Sequence, residues 1–324
     1  MNVRSQAHNL IFIENGGTRA GILTDVGGRI VYLSYMGSEN LLKSDSGLWY
    51  EDRSDKPEVS PISSFKAYNG HIVWNGPQSE WWMHQDVNPE RKKNEAVWPP
   101  DPWLIYGEYK VIEQDQNSVR LQGPASEISG LVLNKYIEID KEGRLHFEVE
   151  GFNSRQYEIA WDLWLNTRVD GYAMAYVKTG NDLGFTIKSG TTSRSDTVSW
   201  NVQDGYFYYL PEIPPEGKQQ RSSKAFLFPE NRIIHAFVRK HYFSIEFPEV
   251  PADKIHPEHG MVEIYNYTST NREEALTELE FHAPYRVLGP GESMKTWQRW
   301  RIIPYEGEKN SDAHIKFLEE NSRL

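Results

Sequence analysis

Short segments in which apolar and polar residues alternate recur from one end of the chain to the other, each closed by Gly, Asn, Asp or Pro. A period of two marks half-buried β-strands, and its repetition at short spacing predicts an all-β sandwich. Residues 10–14, 19–25 and 29–35 come first, with Gly16-Gly17 and Gly27-Gly28 between them at places suited to tight turns of positive φ. Residues 106–113 and 118–123 read as a second hairpin, and 131–140 and 144–152 as a third around Glu142-Gly143. Further strands are expected at 158–169, 172–178, 197–202, 205–210, 225–228, 233–239, 242–247, 261–266, 276–283 and 294–303. In the long strand at 158–169, Ile159, Trp161, Leu163 and Leu165 take one face, and Ala160, Asp162, Trp164 and Asn166 the other. Only residues 311–323 read as a helix, with Ser311 or Asp312 as N-cap and Ile315 and Leu318 on the inner face. No repeat or low-complexity linker divides the chain, so residues 1–324 are read as one large antiparallel β-sandwich domain with a short C-terminal helix.

One stretch breaks the pattern. Residues 71–103 carry Trp74, Trp81, Trp82, Trp98 and Trp103, five of the 11 tryptophans, together with His71, Gln78, His84 and Arg91. Pro77, Pro89, Pro99, Pro100 and Pro102 each fix φ and remove a donor, which predicts a long irregular loop in place of a helix or central strand. Indoles among hydrogen-bonding side chains on such a loop suit a stacking surface for a flat, hydroxylated ligand; the alternative is a plug for the end of the sandwich core.

Composition narrows the function classes. A net charge of −11 with no basic block argues against nucleic acid as a partner. The absence of cysteine excludes disulfides, thiolate metal sites and Cys nucleophiles. No segment approaches the roughly 18 apolar residues of a membrane span, and the first residues lack a signal-peptide apolar run, so a cytoplasmic protein is expected. There is no G-x-S-x-G elbow, phosphate-binding loop or H-E-x-x-H motif. His256 and His259 in HPEHG have a spacing that could hold a metal, but no third ligand is evident, and neither metal nor cofactor is expected.

Three segments, in order, resemble the galactose-mutarotase-like superfamily: GGRIVYLSYMGSENLL (27–42), GRLHFEVEGFNSRQYEIAWDLW (143–164) and ELEFHAPYRVLGPGESMKTWQRWRI (278–302). With a W-x-G-P-Q and a W-P-P-x-P-W motif at 74–78 and 98–103, the chain looks like the DUF4380-type subfamily. The resemblance implies a β-supersandwich with a sugar-binding groove, a Glu on the C-terminal strand as base toward the anomeric hydroxyl, and a His on a central strand as acid toward the ring oxygen. Glu278 and Glu280 stand where the base is expected and share a strand face, Glu280 being preferred. The acid would fall near 160–164, where this chain has Ala-Trp-Asp-Leu-Trp, so His71 and His84 are candidate donors from another direction. Trp74, Gln78, Trp81, Trp82, Trp98, Trp161 and Arg29 are the candidate sugar-binding residues.

Three functions remain open from the sequence. The first is an aldose 1-epimerase-like isomerase with Glu280 as base. The second is a non-catalytic protein that binds a mono- or oligosaccharide and lacks the acid His. The third is glycoside hydrolase or polysaccharide lyase chemistry, with Tyr206, Tyr208 and Tyr209 as the phenols for a lyase. The sequence does not fix the oligomeric state.

Overall fold

The computed structural model describes residues 8–179, 185–189 and 192–321. Among them, two large sheets of 11 and 10 strands face each other. The first runs from edge to edge through Leu10–Asn15, Thr18–Leu23, Arg29–Tyr35, His71–Gly76, Ile159–Asp170, Leu276–His282, Val262–Ser269, Gln220–Leu227 and Phe185–Ser189. The second runs through Ser199–Gln203, Tyr206–Leu210, Met174–Lys178, Ile233–Val238, His241–Glu246, Ser293–Pro304, Leu145–Asn153, Leu131–Ile139, Ser118–Gln122 and Lys110–Gln114. Pairing is antiparallel throughout except for Ser195–Asp196, which adds in parallel to Gln220–Leu227. The predicted all-β sandwich is therefore what the chain forms, as its alternating pattern requires.

The alternation sets the layers. Along Leu131–Ile139 every second residue is buried, and the inward set is Leu131, Leu133, Lys135, Ile137 and Ile139. Lys135 is the exception in that apolar row. Its ammonium donates to Gly27 O at 2.6 Å and Gly28 O at 3.2 Å and lies 4.7 Å from the centre of the Tyr109 ring. Burial and the nearby Arg29 hold its pKa well below the ordinary lysine value. The carbonyls it grips belong to the Gly27-Gly28 turn, where φ is 73° and 55°. A Cβ on Gly27 would stand 2.7 Å from Ile105 O, so glycine is required for space as well as conformation.

Two expectations are corrected. Residues 71–76 are a central strand of the first sheet, paired with Ile159–Asp170 from His71↔Thr167 to Gly76↔Asp162. The prolines begin only at Pro77, so they never bar these six residues from the ladder. The remainder of the stretch is loop punctuated by the short helices Pro89–Lys93 and Pro102–Tyr106, each with proline in its first turn, where the missing donor costs nothing. The C-terminal helix is Ser311–Glu320, and its N-cap is Asn310, whose side chain accepts from Ala313 N at 2.9 Å, rather than Ser311 or Asp312.

That helix packs on the outer side of the second sheet, where Ile315 and Leu318 meet Tyr176, Tyr206, Tyr208, Phe237, Tyr242 and Tyr305. His314 stacks on Phe237 at 3.7 Å, and its Nδ1 lies 2.9 Å from Tyr176 Oη. His235 Nδ1 lies 2.7 Å from Tyr242 Oη. Burial pushes both imidazoles down to about 4, with Lys178 adding to the effect at His235. Both are neutral in the fold, while an unfolded histidine protonates near pH 6.5. Below that value the unfolded chain binds more protons, so stability falls from about pH 6.5 down to about pH 4. Roughly 2–3 kcal/mol of this loss is expected from His235 alone. His235→Gln, which keeps a partner for Tyr242, should visibly flatten the decline in melting temperature between pH 7 and pH 4.5; an unchanged slope would assign the acid sensitivity elsewhere.

Candidate functional site

The outer face of the first sheet, turned away from the second, is unusually polar. Register builds it. Trp164 pairs with Trp74 on one side and His282 on the other, and Asn166 pairs with Ile72 and Glu280. Glu280 in turn pairs with Glu263 of the next strand. Because side chains alternate, Asp162, Trp164, Asn166 and Arg168 project to the same face as Trp74, Glu278, Glu280, His282, Glu263 and Lys224. Gly76, opposite Asp162, leaves the room this needs: a Cβ there would meet Asp162 Oδ1 at 2.5 Å.

The ionisable groups form one connected cluster. His282 Nδ1 is 3.3 Å from Asp162 Oδ2, and its Nε2 is 3.5 Å from Glu263 Oε1. His259 Nδ1 reaches the same Glu263 oxygen at 2.8 Å, and Gly260 N donates to it at 3.1 Å. Lys224 Nζ bridges Glu263 Oε2 at 2.6 Å and Glu280 Oε2 at 2.9 Å, and Trp164 Nε1 donates to Glu280 Oε2 at 2.8 Å. Arg168 Nε pairs with Glu278 Oε1 at 2.6 Å, two residues before Glu280 on the same strand face. Asp162, Glu263, Glu280 and His282 have no exposed surface.

Burial pushes His282, Glu263, Glu280 and His259 toward their neutral forms, and their neighbours oppose it at some and reinforce it at others. Burial lowers His282, but Glu263 and Asp162 outweigh it and raise the imidazole to about 9. Burial raises Glu263, but Lys224 and His282 hold it well below the carboxylate range. At Glu280, burial wins: Lys224 pulls down, Glu278 and Glu263 push up, and the carboxyl stands well above its ordinary value. Burial and the charge of His282 keep His259 below the usual histidine value. Burial and neighbouring charge thus raise the Glu280 carboxyl and the His282 imidazole together.

Indoles and loops cover the cluster. The Trp164 ring lies 4.9 Å from His282 and 5.4 Å from His259, and the two imidazoles stack on each other at 3.9 Å. Trp74 packs edge-on to Trp164 at 5.0 Å and to Trp81 at 5.6 Å. Ser79, just after the Trp74 strand, donates to Glu258 Oε1 at 2.7 Å and so ties the loop before Trp81 to the loop carrying His259. Beside the cluster opens a cleft of about 700 Å³, walled by Phe185, Lys188, Phe226, Ile255, His256 and His259. Phe226 forms its floor between two ammonium groups, with Lys188 Nζ 4.4 Å and Lys224 Nζ 5.9 Å from the ring centre.

The structure brings together only part of the expected set. Glu278, Glu280, Trp74 and Trp81 lie in or against the cluster, and Trp98, 46% exposed, borders it through Trp74 and Trp81. His71 lies on the opposite face, between the sheets, with Nδ1 2.9 Å from Thr167 Oγ1 and its ring edge-on to Phe147 and Trp300. Trp161 is also on that face, donating to Ser129 O. Its alternation with Asp162 and Trp164 makes this unavoidable. His84 sits on the loop surface with Glu80. Arg29 is buried, bracing Asn69 O and Ile105 O. Gln78 donates to Val97 O, and Trp82, under the Arg91 guanidinium, donates to Pro99 O, both holding the loop to itself. Tyr206 and Tyr208 lie under the C-terminal helix on the other sheet. The tryptophans are thus mostly enclosed, not an open platform.

The residues missed are Lys224, Glu263 and His282. Two of them carry a signal: His282 continues the alternation Glu278, Glu280, and Glu263 stands between Val262 and Ile264 as an isolated charge in an apolar strand. The strand that supplies the carboxylates also supplies the imidazole.

Residues 10–303 match the profile of the domain of unknown function DUF4380. Comparison with curated proteins gives no significant match. Among solved structures, a galactose mutarotase-like protein from Lactobacillus casei is similar at TM-score 0.55 and 11% identity, covering 91% of this chain and 100% of that one. A galactose mutarotase-like protein from Clostridium acetobutylicum is similar at TM-score 0.51 and 15% identity, covering 92% and 96%. At these identities the likeness is one of fold. No helix among the described residues is long and apolar enough to cross a membrane. The chain belongs to the DUF4380 family, and its two-sheet sandwich is of the galactose-mutarotase-like kind.

Proposed function

We propose that this protein binds a sugar in the cleft at His259 and interconverts its anomers, in the manner of an aldose 1-epimerase. The observation that carries the reading is the convergence of Glu280 and His282, alternate residues of one strand, on Glu263 of the neighbouring strand beside an aromatic-floored cleft. Anomer exchange needs one group to accept the proton of the anomeric hydroxyl and another to give a proton to the ring oxygen. The ring then opens to the aldehyde, turns and closes with both transfers reversed. A carboxyl group and an imidazole within one hydrogen-bonded cluster supply that pair, with Glu280 as acceptor and His282 as donor. The imidazole sits one strand away from where the resemblance places it, at the register position of Trp164. Phe226 offers an apolar ring for a pyranose to stack on, once the Lys188 ammonium that lies over it turns to the sugar's hydroxyl or acidic groups.

A second reading, a sugar-binding protein without turnover, is favoured by one feature. Glu280 and His282 have no exposed surface, so a ligand reaches them only if the covering loops move.

Proton NMR of a panel of reducing sugars separates the two. Accelerated exchange between anomeric signals is expected, and Glu280→Gln and His282→Gln should each reduce it by about 10²-fold or more. Binding without exchange would establish the second reading, and exchange that survives both substitutions would end the first.

Aromatic substitutions test the cleft. Phe226→Ala should weaken sugar binding by roughly tenfold, the worth of one stacking contact, with little change in melting temperature. Trp81→Ala should instead cost about 3–5 kcal/mol of stability, because that indole is enclosed. Equal sugar affinity in wild type and Phe226→Ala would move the ligand out of this cleft.

A further inference from the structure

The outer-face cluster has more negative charge than its cations explain. Asp162, Glu263 and Glu280 are three carboxyl groups with no exposed surface, and Lys224 is the ammonium that bridges two of them. Glu278 is taken up by Arg168. Two negative charges are left in a site closed to water, where unpaired charge is costly. One divalent cation would balance them.

The donors for a cation are in place. Asp162, His259 and His282 each present a ligand atom within 4.8 Å of the others. All three are more than nine-tenths buried. Among the described residues Asp162 Oδ1 and His259 Nε2 have no hydrogen-bond partner, and His282 Nε2 has only the ion contact with Glu263 Oε1 at 3.5 Å, a rare condition for polar atoms so deeply enclosed. His259 also has the outer support typical of a ligating imidazole. Its Nδ1 is held by Glu263 at 2.8 Å, and Glu263 is itself fixed by Gly260 N and Lys224, which orients the ring and leaves Nε2 with a free lone pair. Because His259 also lines the 700 Å³ cleft, an ion it holds would stand at the wall between cleft and cluster.

We propose that Asp162, His259 and His282 form a binding site for a divalent first-row transition ion, Zn²⁺ being the best match, with Glu263 as the carboxylate behind His259. Two imidazoles and one carboxylate are intermediate donors that suit Zn²⁺ and its neighbours, whereas Ca²⁺ and Mg²⁺ take oxygen alone. Ligand bonds of about 2.0–2.2 Å require the three donor atoms to draw closer than they now stand. The stacked imidazoles, 3.9 Å apart and 21° from parallel, must splay to do so. Three protein ligands leave a coordination position for water or for a sugar oxygen from the cleft. The inference concerns the same face as the sugar reading but does not depend on it, since the site is built without reference to any ligand in the cleft.

The test uses the full chain, stripped with a chelator, and no sugar. Calorimetric titration with ZnCl₂ is expected to show one ion per chain, with Kd on the order of 1 μM or tighter and a rise in melting temperature. Cobalt(II) should bind in its place with a visible absorption band of nitrogen–oxygen ligation. Glu263→Gln should weaken zinc about 10–100-fold, and Asp162→Asn and His259→Gln by more. His259, at the cleft wall, is the least enclosed of the three, so His259→Gln decides the matter if Asp162→Asn does not fold. A native chain that takes up no zinc, or binds it equally well after His259→Gln, overturns the site. A chain that takes up no zinc yet exchanges anomers would leave the sugar reading standing while removing the ion, and zinc binding without exchange would do the reverse.

Discussion

Charges that cannot reach water must satisfy one another, and the outer face of the first sheet is arranged around that requirement. Asp162, Glu263 and Glu280 lie at the centre of a sheet face that would ordinarily be either apolar or solvated. Lys224 is held against Glu263 and Glu280, His282 is clamped between Asp162 and Glu263, and Arg168 is paired with the neighbouring Glu278. Each pair is possible only because the antiparallel registers of Ile159–Asp170, Leu276–His282, Val262–Ser269 and Gln220–Leu227 place the charged residues in adjacent rows. A slip of one residue in any of these ladders would turn its charges into the sandwich core.

The covering layer follows from the same requirement. Trp74, Trp81 and Trp164 close over the charges with apolar area and still bring an N–H where one is wanted: Trp164 serves Glu280, and Trp81 serves Asn75 O. Excluding water strengthens every electrostatic interaction beneath, which is why the imidazole of His282 and the carboxyl of Glu280 both stand above their ordinary values. The aromatic density that drew attention in the sequence therefore acts first as insulation. Only Trp98 keeps substantial exposed surface among the five indoles of residues 71–103.

The architecture was legible because alternation is a local property. The faces of the central strand, Trp161 inward and Asp162 outward, follow from period two alone, and so does the shared face of Glu278 and Glu280. The site was legible only in part, since its members come from five strands and a loop whose order in the sheet no local rule provides. His282 stood two residues beyond Glu280 in the same alternation, yet its partner Asp162 is 120 residues away. Residues 71–76 were read as loop because the prolines that follow them were taken to govern the whole stretch, although a proline affects itself and its immediate neighbour. The short strands Phe185–Ser189 and Arg286–Leu288 escaped notice for a different reason: three to five half-exposed residues carry too little pattern to distinguish them from turns.

Lys135 has a bearing on how anything enters this site. Its side chain starts on a strand of the second sheet and ends on the carbonyls of a turn of the first, like a dowel through two boards. Sliding of one layer over the other would strip a buried ammonium of the oxygens that solvate it, with no water to replace them. The sandwich is thereby denied shear, one of the two common ways a protein opens around a ligand. Any opening of the charged face then falls to the loops above it, which among the described residues are tied at the surface by the hydroxyl–carboxylate contact between Ser79 and Glu258. The dowel between the layers and the tie between the loops are thus set by separate residues.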